Sequence, residues 1–226
     1  MPQAEPIRNM FNNIAGHYDL LNDVLSLGIH RVWKNKLIRE LSQNNPKSML
    51  DCATGTGDIA ISFLNANPNA KVTGIDFSPN MLSFAKEKTQ KIDWQVQDVT
   101  KLPFEDNQFD VCSISYGIRN VEDMEKGISE MSRVSSKKLC ILEFGQPENK
   151  ILRGIYFGIM KYFIPLVGKI FNKQEAYQYL IDSSIKFPSG KKMVEIIKKS
   201  SDFTEVTYKP VMGGITYLYT ATKGEA

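Results

Sequence analysis

The alternation of short apolar runs with helical patterns between residues 47 and 144 is the feature that most constrains how this chain folds. Short apolar runs separated by helical segments are typical of buried parallel strands joined by crossover helices. We predict strands at 48–53, 71–76, 93–98, 109–115 and 138–144. The helices between them are predicted to begin near Asp58, after Ser78 and near Val121. Right-handed crossovers then place helices on both faces of the sheet, so the predicted class is α/β.

The end of the chain has a different rhythm. A helix is predicted over about 190–200, and two strand patterns follow at 203–211 and 215–222, separated by Gly213-Gly214. Two strands joined through glycines predict a β-hairpin. Together with the first five strands, the hairpin gives a Rossmann-like, seven-stranded, mostly parallel sheet with one antiparallel strand near its edge.

A length of 226 residues suits one α/β domain, which we predict to span 1–226. Two segments lie outside the βα alternation. Residues 1–46 carry two helical patterns, and residues 146–188 are rich in Phe, Tyr, Ile and Lys. Because ligands of open α/β sheets bind at the carboxyl ends of the strands, we expect an N-terminal helical lid and a substrate-side insertion there.

Composition and charge exclude several classes of protein. The net charge of +3 is too small for a dedicated nucleic-acid-binding protein. The three cysteines form no C-x-x-C pair, which favours a reducing cytoplasm, and the N-terminus has no secretory signal pattern. The most apolar stretch, 155–171, is interrupted by Lys161, Pro165 and Lys169, so it is not predicted to span a membrane. With two histidines and no metal-ligand motif, no metal site is predicted.

The first strand ends in a glycine-rich turn, Asp51 to Asp58, which suits close approach of a ligand to a helix N-terminus. Gly55, Gly57 and Ala60 also satisfy the dinucleotide pattern, so a nicotinamide or flavin cofactor is an open alternative. Asp51 separates the two interpretations, because a carboxylate beside a pyrophosphate is unfavourable, whereas S-adenosylmethionine (SAM) carries an amino group and a sulfonium.

This arrangement resembles the class I SAM-dependent methyltransferases, which also match at Gln97-Asp98-Val99 and Phe109-Asp110. The resemblance implies that Asp76 holds the ribose, that Asp98 and Val99 flank the adenine, and that Thr56 and the glycine loop face the methionine part. The predicted SAM contacts are Asp51, Gly55, Thr56, Gly57, Asp76, Asp98, Val99 and Ser115. For Asp98 the alternative is a solvated turn, and for Asp58 a helix N-cap.

Residues 18–33 closely resemble the N-terminal signature of the ubiquinone/menaquinone biosynthesis C-methyltransferases, with Leu21 where that family usually has Met. Further segments resemble the same family at 113–121, 179–180, 187–190 and 213–215. One departure is the turn at 133–138, which is shorter than the family's and lacks Pro-Gly-Gly. It lies far from the ligand edge, so we expect little change in chemistry.

The resemblance implies methylation of a ring carbon of a polyprenylated quinol in menaquinone or ubiquinone biosynthesis, with demethylmenaquinol favoured. Such a carbon becomes nucleophilic once a neighbouring phenol is ionised, and Arg119 is the first candidate to stabilise that phenolate. Asn120 is predicted to orient Arg119 or the ring, with helix capping as the alternative. Tyr18 and His30 are predicted to contact the substrate, and His17 and His30 are candidate proton acceptors.

Two interpretations of the segment 150–172 are open. In one, Ile155, Ile159 and Phe163, with Tyr162, form a helix stripe that packs on the domain. In the other, the aromatic surface and four cations dock on an anionic bilayer, where a polyprenyl quinol resides. These cations are Lys150, Arg153, Lys161 and Lys169. A homodimer is plausible, and the alternative activities are methylation of another small hydrophobic acceptor, NAD-dependent oxidoreduction, or SAM binding without turnover.

Overall fold

Seven strands form one twisted sheet in the computed structural model, which describes residues 4–17, 23, 26, 28–163 and 174–224. The strand order is β3-β2-β1-β4-β5-β7-β6, and β7 runs antiparallel to both of its neighbours while the other pairs are parallel. The strands are β1 (Ser48–Cys52), β2 (Lys71–Asp76), β3 (Asp93–Val96), β4 (Phe109–Ser115), β5 (Ser135–Phe144), β6 (Glu205–Val211) and β7 (Thr216–Thr222). The predicted Rossmann-like sheet with one antiparallel strand is confirmed.

Helices cover both faces of the sheet. They are α1 (Ala4–Ile14), α2 (His30–Leu41), α3 (Asp58–Ala66), α4 (Pro79–Lys88), α5 (Met124–Val134), α6 (Lys150–Gly158), α7 (Gln174–Lys186) and α8 (Lys191–Ser200). Short 3₁₀ turns lie at Ala15–His17, Ile118–Asn120 and Met212–Gly214, and a π-helical turn, Ile159–Phe163, continues α6.

Two hydrophobic cores lie on opposite sides of the sheet, because alternate residues of a strand point to opposite faces. On β5, Leu139 and Ile141 join the core beneath α5 and α8, whereas Cys140 and Leu142 join the core beneath α2, α3 and α4. Ile128, Met131 and Val134 of α5 are fully buried in the first core. Burying each large aliphatic side chain stabilises the fold by roughly 1.5–3 kcal/mol before entropy is counted.

Side-chain caps set where the helices begin. Ser78 accepts a hydrogen bond from the Met81 N–H, with Pro79 as the first helical residue of α4. Asp123 caps α5 in the same way, so α5 begins at Met124 and not at Val121 as predicted. At the other end of α5, the chain passes directly into β5 at Ser135. The segment 133–138, where a short turn was predicted, is accommodated by an irregular register between β4 and β5.

The segment after β5 corrects one prediction. Ile155 and Ile159 are exposed, whereas Tyr156 and Met160 of the same helical stretch are buried. The interpretation that Ile155 and Ile159 pack on the domain was therefore wrong, because the helix is rotated by about one residue from the predicted stripe. The side chain of Phe163 lies outside the described residues.

The three cysteines are free and buried in the central strands β1, β4 and β5. Burial raises the pKa of each thiol, to about 12 for Cys112 and Cys140. Within the described ranges, no helix is long and apolar enough to cross a bilayer, and no cluster of three or more His, Cys, Asp or Glu side chains is arranged to hold a metal.

Candidate active site

A cavity of about 650 Å³ opens at the carboxyl ends of β1, β2 and β4, where α1 lies across it. Six of the predicted site residues line it: Gly55, Asp76, Asp98, Val99, Ser115 and Asn120. Three residues of α1 that the sequence reasoning missed, Glu5, Arg8 and Phe11, also line it. The helical pattern over residues 1–46 predicted a lid here, but it did not indicate which of its residues line the cavity.

Asp76 organises the glycine loop from the end of β2. One of its carboxylate oxygens accepts a hydrogen bond from the Gly55 N–H at 2.8 Å, and the other accepts one from the Ser78 N–H at 2.9 Å. Burial raises the pKa of Asp76 to about 6, while these N–H donors favour the ionised form. The carboxylate therefore holds loop and helix start together and has lone pairs left for the hydroxyls of a ligand.

Asp51 lies behind the loop and does not line the described cavity. Its two oxygens accept hydrogen bonds from the hydroxyls of Thr54 and Ser113, both at 2.6 Å. Burial raises the pKa of Asp51 to about 6. Its negative charge can thus act on a cofactor through the loop, and its direct contact stays a prediction.

Thr56 and Gly57 are likewise absent from the described cavity lining. Thr56 is buried, and Gly57 adopts a left-handed φ of 87° against the Trp94 side chain. A Cβ on Gly57 would come within 2.6 Å of Trp94, so only glycine fits this turn. Both residues therefore shape the loop, and their cofactor contacts stay predictions.

The loops after β1 and β4 approach each other at the floor of the cavity. Ala53 and Tyr116, which both line it, adopt left-handed φ angles of 49° and 54°. Strained backbone of this kind is concentrated at functional sites. A Cβ on Gly117 would come within 2.6 Å of the Ala53 Cβ, so close packing of the two loops requires glycine there.

Two observations test whether this cavity suits SAM. The Ser115 hydroxyl is buried on the cavity lining without a hydrogen-bond partner among the described residues, as expected of a group that binds a ligand. At the end of the cavity where the adenine is predicted, Asp98 and the buried Val99 line it together with Met81 and Val96, which offer apolar surface to a flat ring. Asp98 also accepts a hydrogen bond from the Thr100 N–H at 2.8 Å. The donors, acceptors and apolar walls therefore fit SAM.

Arg119 lies in the 3₁₀ turn after β4 and is absent from the lining of the described cavity, although its chain neighbour Asn120 lines it. The Arg119 side chain is only 7% exposed. Its Nη1 donates to Glu143 Oε1 at 2.6 Å and to the Tyr116 carbonyl at 2.7 Å. The guanidinium also stacks over the Phe144 ring at 5.3 Å. Glu143 is fully buried, and burial raises its pKa while Arg119 opposes that shift. The two residues form a buried ion pair, so Arg119 does not act as an isolated cation.

Asn120 is held from the insertion. The Tyr179 hydroxyl, on α7, donates to Asn120 Oδ1 at 2.9 Å. The alternative interpretation of Asn120 as a helix cap was wrong, because Asp123 caps α5. Sequence reasoning missed the roles of Glu143 and Tyr179, since neither follows from local spacing.

His30 lies at the start of α2, away from the described cavity lining. Its Nδ1 is 2.7 Å from the Ser26 hydroxyl, and its Nε2 is 3.8 Å from Asp23. Burial lowers the pKa of His30, which favours its neutral imidazole. Its substrate contact stays a prediction. Tyr18 and the side chain of His17 lie outside the described residues.

Comparison with known sequences gives matches along almost the whole chain. The profile of the ubiE/COQ5 methyltransferase family matches residues 2–223. A ubiquinone/menaquinone biosynthesis C-methyltransferase UbiE of Bdellovibrio bacteriovorus is 42% identical, over 98% of this chain and 97% of the relative. A demethylmenaquinone methyltransferase of Bacteroides fragilis is 39% identical, over 98% and 94%. A 2-phytyl-1,4-naphtoquinone methyltransferase of Nostoc punctiforme is 35% identical, over 96% and 98%.

Solved structures match the fold at lower identity. A SAM-dependent methyltransferase of Thermotoga maritima, described as a possible histamine N-methyltransferase, has a TM-score of 0.65 at 16% identity and covers 96% of this chain and 99% of its own. Magnesium protoporphyrin IX methyltransferase of Synechocystis, solved with bound SAH, has a TM-score of 0.60 at 17% identity, with coverages of 86% and 84%. Their likeness supports the Rossmann-like methyltransferase fold.

Proposed function

Because the chain belongs to the ubiE/COQ5 methyltransferase family and is a SAM-dependent methyltransferase of quinone biosynthesis, we propose that it methylates a ring carbon of a polyprenylated quinol, with demethylmenaquinol as the preferred acceptor. The observation that carries this proposal is the buried Arg119–Glu143 pair, in which Arg119 also donates to the carbonyl of Tyr116 on the lining of a cavity that fits SAM. Family membership also decides the alternative left open by the glycine loop, in favour of SAM over a nicotinamide or flavin.

In this proposal the SAM site is built from the ends of four strands. Asp76 accepts hydrogen bonds from the ribose hydroxyls, and Asp98 and Val99 flank the adenine. Ser115 and the loop around Gly55 hold the methionine part, with Asp51 and Thr56 behind it. When bound, SAM supplies an electrophilic methyl group on its sulfonium.

Arg119 and Asn120 are the proposed catalytic residues. Ionising a phenol of pKa near ~10 at pH 7 costs about 4 kcal/mol, which buried donors can offset as the phenolate forms. Since Glu143 and the Tyr116 carbonyl occupy Nη1, we assign the stabilisation of the phenolate to the other guanidinium nitrogens. Holding the ring carbon in line with the methyl group supplies roughly a further 7–11 kcal/mol in favourable cases.

Two parts of the chain, α1 and α6, are assigned to substrate delivery. We propose α1 as a lid over the cavity, because it lies across the mouth and its Asn12 accepts a hydrogen bond from the Ser78 hydroxyl at 2.6 Å. α2 packs in a hydrophobic core, so the lid is confined to the N-terminal helix.

The outer face of α6 is the proposed contact with an anionic membrane surface. It is formed by the exposed side chains of Ile151, Leu152, Ile155, Ile159 and Tyr162. Lys150, Arg153 and Lys161 are exposed on the same stretch. Apolar side chains bordered by cations are typical of helices that lie in the bilayer interface. The protein would then reach a lipid-dissolved quinol at the membrane, where the quinol resides. Cytoplasmic location and a homodimer stay predictions.

The reaction is tested by anaerobic incubation with methyl-labelled SAM and two reduced acceptors, a demethylmenaquinol and its benzoquinol counterpart, followed by mass spectrometry. We expect label on one ring carbon, with the naphthoquinol converted faster. SAM binding without labelling of either acceptor would contradict the quinol proposal and leave the methyltransferase class intact.

The membrane contact is tested by sedimentation with phosphatidylglycerol-containing vesicles. We expect the double variant Ile151→Asn/Ile155→Asn to bind about tenfold more weakly, because two apolar side chains no longer enter the interface. Val32→Asn, at an equally exposed position on α2, is the matched control and should bind normally. Equal binding by the double variant and the wild type would refute the contact.

A further inference from the structure

The buried hydroxyl of Tyr156 has no role in the site as described so far. Tyr156 lies on the inner side of α6, with only 5% of its surface exposed. Its Oη is sealed from solvent and has no hydrogen-bond partner among the described residues. A buried hydroxyl without a partner is unfavourable and rare, so it indicates a missing ligand group.

The surroundings of Tyr156 connect it to the catalytic pair. The charges of both Arg119 and Glu143 act on the Tyr156 hydroxyl. Arg119 Nε is likewise buried without a partner in the described part of the chain. Two buried hydrogen-bond donors that lack acceptors therefore belong to side chains within electrostatic range of each other and of a fully buried carboxylate. A group that binds to either of them has to be an acceptor, and an oxygen is the simplest choice.

We infer that the Tyr156 hydroxyl donates a hydrogen bond to an oxygen of the quinol ring and stabilises the phenolate together with Arg119. This inference rests on the proposed function, since it names a further residue that contacts the acceptor. Burial raises the pKa of Tyr156, so its phenol stays protonated and available as a donor. A hydrogen bond to an oxyanion in a dry site strengthens as the charge develops, which makes the contact catalytic.

The position of Tyr156 also explains how a lipid substrate reaches it. The adjacent residue of the same helix, Ile155, is exposed on the outer face of α6, proposed above to contact the membrane. One helix thus carries side chains for a lipid contact and, at Tyr156, a side chain for a ring contact.

The test is Tyr156→Phe, compared with Tyr208→Phe as a control on the edge strand β6, where a half-buried tyrosine lies outside the residues assigned to the site and to the membrane contact. We expect kcat/KM for the quinol to fall 10- to 100-fold in Tyr156→Phe, with unchanged affinity for SAM and an unchanged or higher Tm, since the substitution removes an unpaired buried hydroxyl. Tyr208→Phe should retain wild-type values of all three.

Ring analogues that lack one of the two hydroxyls, used as competitive inhibitors, identify the contact itself. The analogue that lacks the contacted hydroxyl should bind the wild type about tenfold more weakly than the diol does. Tyr156→Phe should bind this analogue no more weakly than it binds the diol. A normal kcat/KM in Tyr156→Phe overturns the inference, and so does a lowered Tm with equal losses for SAM and quinol. A wild-type protein that methylates neither quinol shows instead that the proposed function has failed, before any variant is compared.

Discussion

The cofactor side and the acceptor side of the site are built in different ways. On the cofactor side, Asp76 is held by the N–H groups of Gly55 and Ser78, which lie within the first two βα units. On the acceptor side, Arg119 is held by Glu143 and Asn120 by Tyr179, through contacts between side chains that are far apart in the chain. In the proposed site, backbone groups of consecutive strands thus position the cofactor side, whereas side chains from separate elements position the acceptor side.

Because the two sides are built separately, the two functions of the site should be separable. A change at Arg119 leaves the glycine loop and its backbone donors intact. A change at Asp76 leaves the buried ion pair intact. SAM binding and acceptor activation should therefore fail independently, and the following predictions test that separation.

The largest effect is expected for Arg119→Met. Loss of a positioned donor lowers kcat by about 100- to 1000-fold, while SAM affinity in isothermal titration stays at the wild-type value. Because Glu143 is left buried and unpaired, the free energy of unfolding at pH 7 should fall by about 3 kcal/mol in urea denaturation. The double variant Arg119→Met/Glu143→Leu is the control, since removing both charges should restore most of the stability and none of the activity. A loss of SAM affinity in the single variant would break the comparison.

Asp76→Asn should give the opposite pattern. Replacing the carboxylate weakens charge-assisted hydrogen bonds to the ribose, so the Kd for SAM should rise about 100-fold. The unliganded protein should lose about 1–2 kcal/mol of stability, because the amide NH2 of the variant faces one of the two backbone N–H groups from which the carboxylate accepts and leaves it unpaired. Asp93→Asn, at an exposed position at the start of β3, provides the matched control. Unchanged SAM binding by Asp76→Asn would refute the assigned ribose contact.

The pH dependence of stability sharpens the picture of the cofactor side. Burial raises the pKa of Asp51 to about 6 from an ordinary value of 3.8, so the folded protein holds this proton over a pH range in which the unfolded chain releases it. The contribution of Asp51 to the free energy of unfolding is therefore present at pH 4. It falls by about 2 kcal/mol as the pH rises through 6.

Asp51→Asn isolates this contribution, because carboxylates with a lowered pKa, such as Asp202, oppose the trend in the wild type. Urea denaturation at pH 4 and pH 7 should show that the wild type loses about 2 kcal/mol relative to the variant over this range. Parallel pH profiles of the two proteins would mean that the Asp51 pKa is not raised.

The smallest effect is expected for Tyr179→Phe. The variant loses one half-buried hydrogen bond to Asn120, so kcat should fall about fivefold with no change in SAM affinity. Tyr208→Phe, on the edge strand β6, should have no effect on kcat. A normal kcat in Tyr179→Phe would show that Asn120 needs no support from α7.

Local pattern was sufficient for most of the fold. The strand that begins at Lys71 ends at Asp76 as predicted, and the helix after Ser78 begins where its cap and proline indicate. Errors arose where elements meet. α5 begins at Met124 because Asp123 caps it, and β5 begins at Ser135 because no turn follows α5. Such boundaries depend on caps and pairing register, which periodicity does not report.

The same distinction applies to the site. Gly55, Asp76 and Asp98 follow strand ends, so their spacing alone predicts that they meet at one edge of the sheet. Glu143 meets Arg119 because β4 and β5 are neighbours, with Ser115 paired to Leu142. The phase of α6 was wrong for a related reason. Its apolar residues nearly surround the helix, so hydrophobicity did not indicate that Tyr156 and Met160 face inward.

The burial of the three thiols makes them built-in reporters of folding. Thiolate is the species that reacts with alkylating reagents, and both the raised pKa and the enclosure of Cys52, Cys112 and Cys140 suppress it. Since these residues lie on the adjacent central strands β1, β4 and β5, alkylation requires the middle of the sheet to open. The rate of alkylation thus measures that opening, and SAM binding can be followed as protection of the thiols, with no introduced label.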